Sequence, residues 1–118
     1  MRRTSILAAA AALLLSACSK EPARPVPPDG AALFREQNCI QCHGDDGSGT
    51  NLGPTLHGKK QFWTREKIAV YLADPQAVIQ GDARLTAQKE KYMLPMVKFP
   101  YLTLEQRLAL ADHVLALP

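Results

Sequence analysis

Cys39-Ile40-Gln41-Cys42-His43 puts two thiols three residues apart and an imidazole directly after the second. This is the C-x-x-C-H spacing of c-type haem attachment. Two thiols add across the two vinyl groups of one haem, so both must project from one side of a helical turn. The imidazole that follows then projects at the iron. Two other chemistries use a Cys-x-x-Cys pair. A redox dithiol expects a βαβ setting, which the flanking sequence does not offer. A zinc site needs a second pair of ligands, and that pair is missing.

Upstream, Gly30-Ala31-Ala32-Leu33-Phe34 begins a helical stretch running to Cys39. Asp29 is placed to cap it by accepting the first free backbone N–H groups. Gly30 and Phe34, four apart, share a face. Downstream, Gly44 to Thr50 is too rich in Gly and polar residues for regular structure and reads as a loop. Gly53-Pro54 is a turn signal. A lone His such as His57 is usually structural or exposed.

Further along, Thr64 caps a helix carrying Ile68 and Leu72 on one face. Asp74-Pro75 ends it, and Asp74 caps a short helix with Pro75 at its first position, closed by Gly81. Thr103 and Gln106 fit a capping box for the last helix. Leu104, Leu108, Ala111 and Leu115 follow helical spacing there, with Leu110 and His113 on a neighbouring stripe. Trp63 precedes these helices, and its indole N–H needs a partner when buried.

The N-terminus is an address. Met1-Arg2-Arg3 is basic, and Ile6 to Leu15 is an apolar stretch of secretory-signal length. No apolar run reaches the roughly 18 residues that span a bilayer. Leu15-Ser16-Ala17-Cys18 resembles the lipobox of bacterial lipoproteins, in which the Cys is lipidated and becomes the new N-terminus. Ser19 after it weakly favours the outer membrane over the inner, by the same resemblance. Four prolines between Pro22 and Pro28 deny that stretch a helix and make it a spacer. The expected organisation is a signal peptide at 1–17, a lipidated Cys and Pro-rich tether at 18–28, and one domain at 29–118. The chain would then face the periplasm from a lipid anchor.

Of 118 residues, 14 are basic and 11 acidic, and Arg2 and Arg3 belong to the signal. The remaining balance is near neutral, so no nucleic-acid footprint is expected. A core this small usually needs a staple, such as a disulfide, a metal or a covalent cofactor.

From residue 29 to 118 the chain resembles the class I, mono-haem cytochromes c. The resemblance rests on Cys39-Ile40-Gln41-Cys42-His43, on Gly53-Pro54-Thr55-Leu56, and on Met96 spaced ahead of Phe99-Pro100 and Leu102-Thr103. It implies an all-α small cytochrome c fold, three to five helices wrapped around one covalent haem c. Cys39 and Cys42 would form the thioethers, and His43 and Met96 would ligate iron, with Met93 the second choice for the sixth position. The Pro54 carbonyl would accept the N–H of the ligating imidazole. For Trp63 two readings stand, packing alone, which is favoured, and an indole N–H contact to a haem propionate. His57 would stay off the iron. The family's small-plus-aromatic face on the first helix packs against the last, where many members carry an aromatic residue at the position of His113. Val97 departs from the Pro that usually follows the ligating Met.

The implied function is one-electron transfer between transient redox proteins, a donor and an acceptor, with no small-molecule substrate. Lys59, Lys60, Lys89, Lys91 and Lys98 are candidates to ring the haem edge. Two alternatives use the same residues. One is a haem sensor or peroxidase-like enzyme with an open or displaceable sixth position. The other is a cytochrome subunit of a larger oxidoreductase.

Overall fold

The computed structural model describes residues 21–118. The expected signal peptide at 1–17 and the expected lipidated Cys18 lie outside the described residues. Those described form six α-helices, one 3₁₀ turn at Lys59–Gln61 and no strand. The helices are α1 (Gly30–Glu36), α2 (Cys39–His43), α3 (Arg65–Ala73), α4 (Pro75–Gln80), α5 (Ala83–Lys89) and α6 (Leu104–Ala116). None is long and apolar enough to cross a membrane.

The fold is all-helical as expected, but with six helices rather than three to five. Two local causes account for the number. Asn38 adopts a left-handed conformation (φ 58°) that breaks the first helical stretch into α1 and α2; Asn tolerates that region better than most residues. Asp82 caps α5, a helix not anticipated from sequence, by accepting from the Arg84 and Leu85 N–H groups at 3.0 and 3.2 Å.

The other starts match the sequence reading. The Asp29 carboxylate accepts from Ala31 and Ala32 N–H at 2.9 and 3.2 Å. Thr64 caps α3 through the Lys67 N–H at 3.1 Å, and Asp74 caps α4 through Ala77 at 3.3 Å. The Thr103–Gln106 box is reciprocal, at 3.1 and 2.9 Å. Helices of five to nine residues are marginal alone, so their stability comes from what they pack against.

That packing centres on α6, which packs against both α1 and α3. The α1–α6 crossing is close enough that a Cβ on Gly30 would fall 2.0 Å from the Ala109 carbonyl oxygen. One turn on, Phe34 meets the His113 ring with centroids 5.0 Å apart. The imidazole therefore takes the place of the usual aromatic, and the contact between the terminal helices survives the substitution. The buried line of α6 is Leu110 and Ala111. Leu104, the first residue of α6, is 57% exposed. Arg107 ties α6 to α3 by donating to the Ala69 carbonyl at 2.9 Å. The exposed Arg65–Asp112 pair on the same two helices, at 2.6 Å, adds little.

Leu33, Phe34, Ile68, Leu72, Phe99, Leu102 and Leu110 form one core with Cys39. The Phe99 N–H donates to the Leu72 carbonyl at 2.7 Å. This bond fastens the irregular segment 90–102 to the end of α3 and holds Met96 beside the core.

Candidate haem site

The short helix α2 carries Cys39, Cys42 and His43 to the wall of one cavity of about 370 Å³. That size lies within the range of small-molecule and cofactor sites. Its lining is mostly apolar, with Phe34, Ile68, Leu72, Phe99 and Leu110 contributing. Both thiols are free, Cys39 buried and Cys42 half-buried. Burial pushes the Cys39 thiol up to about 11, so it is protonated at neutral pH.

His43 is 6% exposed. Its Nδ1–H donates to the Pro54 carbonyl at 2.8 Å. This fixes the tautomer and leaves Nε2 with its lone pair, the form a metal takes. Burial holds the imidazole below its usual range; the Pro54 bond opposes that, and the Lys59 charge adds to it. The ring is therefore neutral at neutral pH.

The loop after α2 is tied back onto the motif. Thr50 Oγ1 donates to the Cys42 carbonyl at 2.7 Å, Gly49 N–H to the His43 carbonyl at 2.7 Å, and Leu56 N–H to the Gly47 carbonyl at 2.7 Å. Gly53 lets the Pro54 segment lie against α2, since a Cβ there would sit 2.9 Å from the Cys42 oxygen. Thr50 was not singled out from sequence, because one Thr in a polar, Gly-rich loop carries no signal of its own.

Met96 is half-buried, packs against the core and lines the cavity. Met93 is 97% exposed and outside the cavity wall. His57 is also outside it; its Nε2–H donates to the Asp46 carbonyl at 2.8 Å. Trp63 lines the cavity half-buried, set edge-on to Tyr71 at 5.1 Å. Lys59 and Lys89 reach the wall, whereas Lys60, Lys91 and Lys98 are exposed and away from it. No group of three or more His, Cys, Asp or Glu able to hold a metal ion occurs among the described residues, which leaves the zinc reading without a donor set.

An apolar slot of this size, two free thiols on its wall and a neutral imidazole with a fixed tautomer define a covalent haem protein of the c type. The comparisons with known proteins agree. The sequence model of the family described as Cytochrome c matches residues 28–118. Cytochrome c type-1 of Ascaris suum is 33% identical over 82 residues, covering 52% of this chain and 72% of that protein. Cytochrome c 2.1 of Caenorhabditis elegans is 32% identical over 76 residues, covering 48% and 68%. Cytochrome c oxidase subunit 2 of Alkalihalophilus pseudofirmus is 35% identical over 79 residues, covering 58% of this chain but only 22% of that protein. No solved structure matches significantly. The chain belongs to the cytochrome c family. Its cofactor is haem c, held through two thioethers, and its role is that of a haem-based electron carrier with redox-protein partners.

Proposed function

We propose that the chain is a periplasm-facing, lipid-anchored one-electron carrier, not an enzyme, whose single haem c is attached through Cys39 and Cys42 and ligated by His43 and Met96. One observation carries the ligand assignment: Met96 shares the cavity wall with His43, while Met93 and His57 do not. When bound, the haem supplies the one-electron Fe(III)/Fe(II) couple. The Pro54 carbonyl holds the Nδ1 proton and so orients His43. The Phe99–Leu72 backbone bond holds the Met96 segment in place. Phe34, Ile68, Leu72 and Leu110 keep water from the site. A thioether ligand favours Fe(II) and raises the potential. With His43 and Met96 both holding the iron, no site would remain for a substrate.

The ferric visible spectrum of protein made in a host that attaches haem tests this. The weak far-red band of a sulfur-to-iron bond is expected. A ferric spectrum without it excludes Met96 as ligand. Cys18 is proposed as the lipidated anchor, from the lipobox resemblance. Cys18→Ser should move the haem protein from the membrane to the soluble periplasmic fraction, and unchanged membrane retention would rule the anchor out.

One comparison favours a second reading of the partners. The likeness to a segment of a cytochrome c oxidase subunit 2 fits a cytochrome subunit serving a larger oxidoreductase. Co-purification with a membrane complex under mild detergent separates a permanent subunit from a transient carrier.

A further inference from the structure

Met96 sits on a strap with few ties. Segment 90–102 leaves α5 through backbone bonds from Glu90, Lys91 and Tyr92 to the Thr86, Gln88 and Lys89 carbonyls. Residues 93–98 then make no hydrogen bond among the described residues. Met96 is therefore held by packing and by whatever fixes the strap beyond it. Two bonds do that. One is the Phe99 N–H to the Leu72 carbonyl. The other comes from Tyr101, whose hydroxyl donates to Gln37 Oε1 at 2.9 Å from 64 residues further along the chain.

The two side chains are ordered apart from the bond they share. The Tyr101 ring lies edge-on to buried Phe99, with centroids 6.1 Å apart. Gln37 is the C-cap of α1, its N–H donating to the Leu33 carbonyl at 2.9 Å, and left-handed Asn38 turns the chain from there into α2. Gln37 is half-buried, lines the cavity and stands two residues ahead of Cys39. An exposed hydrogen bond gains little when it has to order two free side chains, and here most of that ordering is already done. Among the described residues it is the one hydrogen bond between the strap and the α1–α2 unit that carries Cys39, Cys42 and His43.

We propose that Tyr101 and Gln37 form a latch that keeps Met96 on the iron. This rests on the His43/Met96 reading above. Tyr101 is off the cavity wall, so it acts through the strap as a positioning residue. A closed strap holds the thioether within reach of the iron, and an open one lets an external ligand take the sixth position. The latch counts most in Fe(III), which soft sulfur binds less well than Fe(II). Losing one net hydrogen bond shifts such an equilibrium on the order of fivefold.

The test is imidazole titration of the haem-loaded ferric protein, followed by the far-red band, in five forms: wild type, Tyr101→Phe, Gln37→Leu, the double variant and Arg65→Met. Imidazole competes with the thioether for iron, so its apparent affinity reads the open fraction of the strap. Each of Tyr101→Phe and Gln37→Leu should raise that affinity about fivefold. The double variant should match the singles, because either change severs the same bond. Arg65→Met removes an exposed bond between α3 and α6, away from the strap, and should stay within about twofold of wild type. A purely structural role would lower the melting temperature of the Tyr101 and Gln37 variants yet leave their imidazole affinity at the Arg65→Met value, and that result overturns the proposal. Single effects that multiply to about 25-fold in the double variant overturn it as well. If Gln37→Leu fails to retain haem, Tyr101→Phe decides alone on the same limits. A wild type without the far-red band overturns the Met96 reading and the latch with it. A wild type with the band, and Tyr101→Phe within about twofold of it, overturns the latch alone.

Discussion

Met96→Ala should abolish the far-red band of the ferric protein and lower its midpoint potential by on the order of 100 mV or more, since axial ligation spans much of the potential range open to haem proteins. Two effects act in the same direction. The soft sulfur that favours Fe(II) is lost, and water gains access to the position Met96 fills on an apolar wall. Met93→Ala is the matched control: Met93 is 97% exposed and outside the cavity, so both spectrum and potential should be unchanged. A band that survives Met96→Ala but disappears in Met93→Ala would reverse the assignment and require segment 90–102 to pack differently around the haem.

Gly30→Val should produce the largest loss of stability among single substitutions outside the ligands. A Cβ at this position would meet the Ala109 carbonyl oxygen at 2.0 Å and its carbon at 2.7 Å. Both are backbone atoms of α6, so no side-chain rotation relieves the clash and the two helices must separate. Overpacking of this kind costs about 3 kcal/mol, the upper end of the usual range. For a domain of this size that is a fall in Tm of roughly 12–24 °C. Separation also pulls Phe34 from His113 and opens the core beside the cavity. Gly81→Ala serves as the control. Its φ is negative and the nearest atom to the new Cβ lies 3.8 Å away, so Tm should barely move. Thermal denaturation of the two haem-loaded variants checks the pair, and equal melting temperatures would refute the close crossing.

Much of this architecture is legible in the sequence because its signals are local. Asp29, Thr64, Asp74 and Thr103 each mark a helix start through a side chain and an N–H two or three residues on. The haem motif is equally local, five residues on one helical turn. The role of Pro54 was open to inference only through the family resemblance, since Gly-Pro by itself signals a turn; the geometry then places its carbonyl 2.8 Å from His43 Nδ1.

What sequence did not disclose depends on contacts between distant segments. Helix α5 lies in a stretch with mixed polar spacing, and its buried residue is Leu85 alone, so periodicity passes over it. Its Asp82 cap was a usable signal, of the same type as Asp74. His113 reads as a departure from the family's pattern until α6 is laid across α1, where the imidazole is seen to pack on Phe34. The choice between Met93 and Met96 could be argued from spacing, but their contrast in exposure is visible only in the fold, where the Phe99–Leu72 bond joins segments 27 residues apart. Lys59 is one of several lysines in sequence, and only the fold separates it from Lys60.

The proposed electron carrier requires an iron ligated on both sides and closed to substrate. Mixing the dithionite-reduced wild-type protein with carbon monoxide tests that most directly. With His43 and Met96 both bound, the spectrum should hold over minutes at neutral pH, while Met96→Ala should convert to the carbonyl form on mixing. Immediate, stoichiometric conversion of the wild type would contradict the electron-carrier reading and support a haem sensor or peroxidase-like enzyme with an open sixth position.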